Sequence, residues 1–184
     1  MSDQSTRPRL TLGHSTLAAR DLDAQVTFYR DVLGFRVTNR GPVGEAEMAF
    51  MSQDPSAHHQ IAMVTGVPVP DRSLHMVDHL AFRTGTLDDL RRLRAALTEA
   101  GIEGITPLCH GNAWSIYFDD PEGNGIEIYV DSPFHVAQPQ GKGFDLDQSD
   151  EEIARATREQ FGTEPEFRPF AQWQEEFTKL LEQS

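Results

Sequence analysis

Between Leu22 and Leu33 the apolar residues Leu22, Val26, Tyr29 and Leu33 fall on one face of a helix, and Asp21 stands where an N-cap belongs. Residues 9–18 before it read as a strand. Short β-branched and apolar runs at 35–39, 46–51 and 59–65 follow as further strands, divided by turns rich in Gly and Pro. The order then begins again. Residues 75–83 form a strand and 87–100 a helix with the stripe Leu90, Leu93 and Leu97, opened by a capping box at Thr86 and Asp89 and closed by Gly101. Strands follow at 104–109, 113–119 and 125–130. The pattern predicts an α+β fold with the order strand, helix, strand, strand, strand used twice.

The residues repeat along with the pattern. His14 is followed eight and nine positions later by Leu22 and Asp23, and His79 by Leu87 and Asp88 in the same way. This 65-residue offset maps "QIAMV" onto "GIEIY", so Ala62 falls on Glu127. Strand alternation places Ile126, Ile128 and Val130 on one face and Gly125, Glu127 and Tyr129 on the other. An unpaired carboxylate on such a strand must face water or meet a cation. Two histidines at equivalent places in a repeat, with one carboxylate in the closing strand of the second half, suggest that the cation is a metal. Two imidazoles and a carboxylate on one side of an ion leave positions open for substrate and dioxygen, the arrangement of non-haem Fe(II) oxygenases.

Composition narrows the setting. A chain of 184 residues holds one full domain and a short extension. A net charge of −13 argues against nucleic acid or an anionic membrane as partner. No run is long and apolar enough to span a bilayer, and "MSDQSTRPRL" lacks a hydrophobic signal region. The single cysteine, Cys109, suits a reducing cytoplasm, the expected location.

Three stretches, "LGHSTLAARDLDAQVTFYRDVLGFRV", "VDHLAFRTGTLDDLRRLRAALTEAGI" and "SIYFDDPEGNGIEIYVD", together resemble the vicinal oxygen chelate superfamily over residues 9–131. The resemblance implies two βαβββ modules, 9–66 and 75–131, forming a cupped mixed sheet. Ala62 stands where glyoxalase-like members bring a fourth ligand, and metal-free binding members usually lack the two histidines. The chain therefore looks most like the small, one-domain type I extradiol catechol dioxygenases. That likeness implies His14, His79 and Glu127 as ligands of Fe(II), with Mn(II) as the alternative ion. It also implies a small aromatic diol and dioxygen as substrates, and a homo-oligomer. Tyr117, ten residues before Glu127, and His110 match that family's substrate-facing tyrosine and histidine. His58 or His59 matches its acid–base histidine. An isomerase, lyase or epimerase of the same superfamily, or a metal-free small-molecule binder, is the alternative.

Residues 132–184 lie outside the resemblance. "SPFHVAQPQGKGF" reads as an extended connector. Ser149 and Glu152 form a capping box for a helix to Phe161, and Pro169 suits the first position of another, with Trp173, Phe177 and Leu181 on one stripe. The pair of helices is expected to form an arm packed on a neighbouring module or subunit.

Overall fold

The computed structural model describes residues 11–67 and 77–182. The first repeat contains β1 (Ser15–Ala18), α1 (Leu22–Asp31), β2 (Arg36–Val43), β3 (Ala46–Ser52) and β4 (Ile61–Val64). The second contains β5 (Leu80–Arg83), α2 (Leu87–Glu99), β6 (Thr106–Cys109), β7 (Ala113–Asp119) and β8 (Gly125–Asp131). After them come β9 (Phe134–His135), β10 (Lys142–Gly143), α3 (Asp150–Phe161), β11 (Arg168–Pro169) and α4 (Phe170–Glu182). The first repeat forms a sheet of order β1-β4-β3-β2, and the second a sheet of order β10-β6-β7-β8-β5. This is the α+β fold of paired βαβββ modules.

The duplication holds residue by residue where it matters. In the parallel pair β1–β4, Ser15 lies against Ile61 and Thr16 against Ala62. In β5–β8, Leu80 lies against Ile126 and Ala81 against Glu127, the same register moved by 65. In the preceding strand the offset changes. Phe50 pairs with Ala62, and Tyr117 with Glu127, because the link from β7 to β8 is two residues shorter than that from β3 to β4.

One core joins the modules. Leu22, Val26, Tyr29 and Leu33 are buried as their periodicity predicts, and so are Gln25 and Phe28. The ring of Phe28 meets Phe118 edge-on at 6.4 Å. Gln25 Nε2 and the Tyr29 hydroxyl donate to Asp120 Oδ2 at 3.1 and 3.2 Å. Asp120 also accepts from the amides of Glu122 and Asn124, so one carboxylate both closes the β7–β8 turn and ties α1 to it. Phe35 and Phe82 make a second aromatic bridge at 5.6 Å.

Several boundaries differ from the sequence pattern. Of the strand expected over 9–18, residues 9 and 10 lie outside the described residues, and pairing starts only at Ser15. Residues 75 and 76 likewise lie outside them, and β5 starts at Leu80. His14 and His79 therefore precede their strands instead of sitting within them. β4 begins at Ile61 because residues 53–60 are held as a turn, with Asp54 Oδ1 accepting from the Ser56 amide at 2.8 Å, so His59 lies on a loop. The Asp89 side chain is shorter than the usual Glu and meets the Thr86 hydroxyl at 2.7 Å, while the Thr86 oxygen caps the Asp89 amide at 3.0 Å. Pro169 ends β11 opposite Phe134 and precedes α4; lacking an N–H, it suits such an edge.

The C-terminal elements belong to the same body. The Ser149–Glu152 capping box is present, and Ile153 and Phe161 of α3 join the core. Trp114 Nε1 donates to Thr157 Oγ1 at 2.8 Å, fixing α3 to β7. In α4 the Trp173 ring stacks on His135 at 5.0 Å and on Phe177 at 5.2 Å, while Phe177 and Leu181 remain exposed.

Candidate metal and substrate site

Glu127 sits at the centre of β8 and is only 8 % exposed. Its neighbours Ile126 and Ile128 point into the core, so its carboxylate lies on the opposite face, beside Tyr117 across the β7–β8 ladder. Ser115, fully buried one pleat away, donates its hydroxyl to Glu127 Oε1 at 2.6 Å. That bond orients the carboxylate and leaves Oε2 directed at His79 Nε2, 3.1 Å away.

The entry to β5 brings His79 there. A Cβ on Gly125 would come within 2.4 Å of the Asp78 carbonyl oxygen and 3.3 Å of His79 Cβ, so only glycine lets the chain pass so closely. Asp78 Oδ2 accepts from His79 Nδ1 at 2.7 Å. With Nδ1 carrying the proton, a neutral imidazole turns the lone pair of Nε2 towards the oxygens of Glu127. Two acceptors at 3.1 Å need a positive charge between them, either a proton or a metal ion. Ligand atoms bound at about 2.1 Å and at a right angle lie about 3 Å apart, so the pair fits a divalent ion. Asp78 stands where a carboxylate commonly fixes the orientation of a ligating imidazole through its other nitrogen.

His110 and Tyr117 lie beside this pair. His110 Nε2 is 2.9 Å from the Tyr117 hydroxyl and 3.9 Å from Glu127 Oε1. Burial, and then the nearby Glu127 carboxylate, push the Tyr117 hydroxyl well above its usual range, so it remains a proton donor at neutral pH. A pocket of about 380 Å³ opens here, lined by His110, Asn112, Tyr117, Glu127, Tyr129 and Gln138 among others.

The remaining predicted residues lie together on the first module. The rings of His14 and His59 are 4.3 Å apart between centroids, just outside β1 and β4. His58 Nε2 is 2.7 Å from Asn39 Oδ1, and its Nδ1 is 3.0 Å from His59 Nδ1. An amide oxygen only accepts, so His58 Nε2 carries a proton. Neutral His58 then accepts from His59 Nδ1–H, and His59 Nε2 keeps its lone pair. Burial and the neighbouring His14 and His58 hold the His59 pKa below the usual value, which keeps this ring neutral.

The predicted residues thus form two clusters. His79, Glu127, His110 and Tyr117 share one, and His14, His58 and His59 the other. Among the described residues, no group of three His, Cys, Asp or Glu side chains in one chain is disposed to hold a metal ion. Ser115, Asp78 and Asn39 were absent from the sequence reading. Strand parity with Tyr117 already put Ser115 on the face of Glu127, which was its one visible signal.

A family model described as the Glyoxalase/Bleomycin resistance protein/Dioxygenase superfamily matches residues 11–128. The chain belongs to that superfamily. It is 35 % identical over 125 residues to biphenyl-2,3-diol 1,2-dioxygenase 3 of Rhodococcus globerulus, a match covering 66 % of this chain and 63 % of that protein. It is 31 % identical over 139 residues to catechol-2,3-dioxygenase of Bacillus subtilis (strain 168), covering 72 % of this chain and 45 % of the relative. The chain therefore spans less than two thirds of the length of these relatives. Among solved structures, a glyoxylase/bleomycin resistance protein/dioxygenase domain from Frankia sp. EAN1pec aligns with a TM-score of 0.59 at 24 % identity, covering 68 % of this chain and all of that one. The fosfomycin resistance protein FosX from Listeria monocytogenes, complexed with Mn(II) and sulfate, aligns with a TM-score of 0.52 at 19 % identity, covering 66 % of this chain and 93 % of that one. These two likenesses show the fold alone.

Proposed function

We propose that this protein is a metal-dependent extradiol dioxygenase that opens a catechol-type aromatic diol, with His14, His79 and Glu127 as protein ligands of Fe(II). The observation that carries the proposal is the Glu127–His79 pair, whose Oε2 and Nε2 face each other at 3.1 Å, the separation of two ligand atoms on one divalent ion. The names of the Rhodococcus and Bacillus relatives support the substrate class and reaction. A relative named as a manganese-dependent 2,3-dihydroxybiphenyl 1,2-dioxygenase, from Geobacillus genomosp. 3, keeps Mn(II) as the alternative ion.

A divalent ion held by these residues would supply Lewis acidity that lowers the pKa of the diol hydroxyls. The chain's own groups do the rest. His59, oriented through His58 and Asn39, takes a hydroxyl proton at Nε2. As negative charge develops on the substrate oxygen, the Tyr117 hydroxyl turns its proton from His110 Nε2 to that oxygen, and His110 holds the phenol in place until then.

The two clusters meet when the β1 end of one copy faces the β8 strand of a second copy, which makes the enzyme a homo-oligomer with sites shared between subunits. Co-expressing His14→Ala with Glu127→Ala tests this reading. Each variant alone should take up no oxygen with catechols after anaerobic loading with Fe(II). In mixed dimers one of the two sites would be intact, so the mixture should recover about a quarter of wild-type uptake. No recovery from the mixture would overturn the shared site. Metal binding by the wild type without oxygen uptake would move the protein to the isomerase, lyase or epimerase class, and no metal binding would make it a metal-free binder.

A further inference from the structure

Residues 132–143 follow the region that the family model matches, yet they run along the turn that carries His110. Ser132 N donates to Asn112 O at 2.9 Å, and Val136 packs so tightly on Gly111 that a Cβ there would lie 2.4 Å from Val136 Cγ1. Further on, β10 adds to the edge of β6, with Lys142 opposite Cys109 and Gly143 opposite Leu108. Between these anchors Ala137 N donates to Pro165 O at 3.0 Å and Gln140 Nε2 to Ala137 O at 3.2 Å, and the Gln138 side chain ties the stretch to the His110 turn. Gln138 Nε2 donates to His110 O at 2.8 Å and to Asn112 Oδ1 at 3.2 Å, and Gln138 Oε1 accepts from Gln140 N at 2.9 Å. The Gln140 carbonyl oxygen is thereby held against His110 Nδ1.

A backbone carbonyl can only accept a hydrogen bond, so His110 Nδ1 must carry a proton. In the neutral ring, Nε2 is then the lone-pair nitrogen, and the Tyr117 hydroxyl, 2.9 Å away, donates to it. The opposite tautomer would set the Nδ1 lone pair against the Gln140 oxygen and turn an N–H towards Tyr117. We propose that Gln138 is a positioning residue: by clamping the Gln140 carbonyl it holds His110 as the Nδ1–H tautomer, with Nε2 presented to Tyr117 and the face of Glu127. The catalytic consequence rests on the dioxygenase reading, but the tautomer does not.

The test is two-bond ¹⁵N–¹H correlation spectroscopy of the histidine rings in metal-free protein, wild type beside Gln138→Ala. In the wild type, His110 should show a protonated Nδ1 and a lone-pair Nε2. The variant should show a mixture of tautomers, and its turnover per bound metal should fall about tenfold with a smaller change in KM. Gln138→Asn, which keeps the amide on a shorter stem, should fall between the two. A wild-type His110 protonated at Nε2 would overturn the proposal even if no variant folded. A wild-type ring pattern in Gln138→Ala would overturn it as well. Because the spectra require neither metal nor substrate, a wild type without ring-opening activity would sink the dioxygenase reading and leave this result standing.

Discussion

At the scale of single residues, the centre of the molecule is a carboxylate on a strand face that should carry no unpaired charge. Glu127 is tolerated there because each oxygen has a role: Oε1 accepts from Ser115, and Oε2 faces His79. Ser115 acts first through Glu127, and its hydroxyl also meets that of Tyr117. Ser115→Ala should leave the fold intact, since the residue is small and an alanine methyl fills nearly the same space. It frees Oε1 and lets the carboxylate rotate. Metal affinity should therefore weaken about 10- to 100-fold, the usual cost of removing a partner that orients a ligand. Competition against a chelator measures this, and an unchanged affinity would show that Ser115 does not set the carboxylate.

Among the elements, the decisive contact is that of the β5 entry with β8. The histidine precedes β5 and the carboxylate lies on β8, and their distance depends on how closely residues 78 and 79 pass Gly125. Gly125→Ala would force its Cβ against the Asp78 carbonyl, which cannot bend away as a flexible side chain would. Overpacking of this kind costs about 1–3 kcal/mol, seen as a melting temperature lower by several degrees. The shift should also draw His79 away from Glu127, so metal affinity should fall together with stability. A variant that melts and binds metal like the wild type would show that the close approach is not required.

Across the whole molecule, the modules share one core, and burial shapes the titration of its phenols. Tyr29, Tyr117 and Tyr129 are all raised, each mainly through burial, helped by Asp120, Glu127 and Asp131 respectively. They are the only three tyrosines in the chain. The folded protein should therefore show little tyrosinate absorbance at about pH 10, where exposed tyrosine is half ionised. The linkage has a definite sign. Above about pH 10 the unfolded chain has released protons that the folded chain keeps, so stability falls as pH rises. Ultraviolet titration beside melting curves at alkaline pH checks both, and a normal phenol titration in the folded protein would contradict the burial.

Local rules carried much of this protein in its sequence. The repeat, both helix stripes, the caps at Asp21, Thr86 and Ser149 and the facing of Glu127 follow from periodicity and short-range hydrogen bonding, which depend only on residues a few positions apart. The 65-residue offset that maps Ala62 onto Glu127 also relates the registers of the two parallel strand pairs. Other features depend on groups that are distant along the chain. Gln25 is buried because Asp120, 95 residues away, receives its amide, and a helical wheel has no knowledge of that partner. The pairing of His79 with Glu127, the bracing of His110 by residues 138–140 and the separation of His14 from both arise only when strands and loops are placed in space. The sequence named the chemically able side chains; the tertiary structure decided which of them meet, because distance and orientation are properties of the packed chain and not of its order.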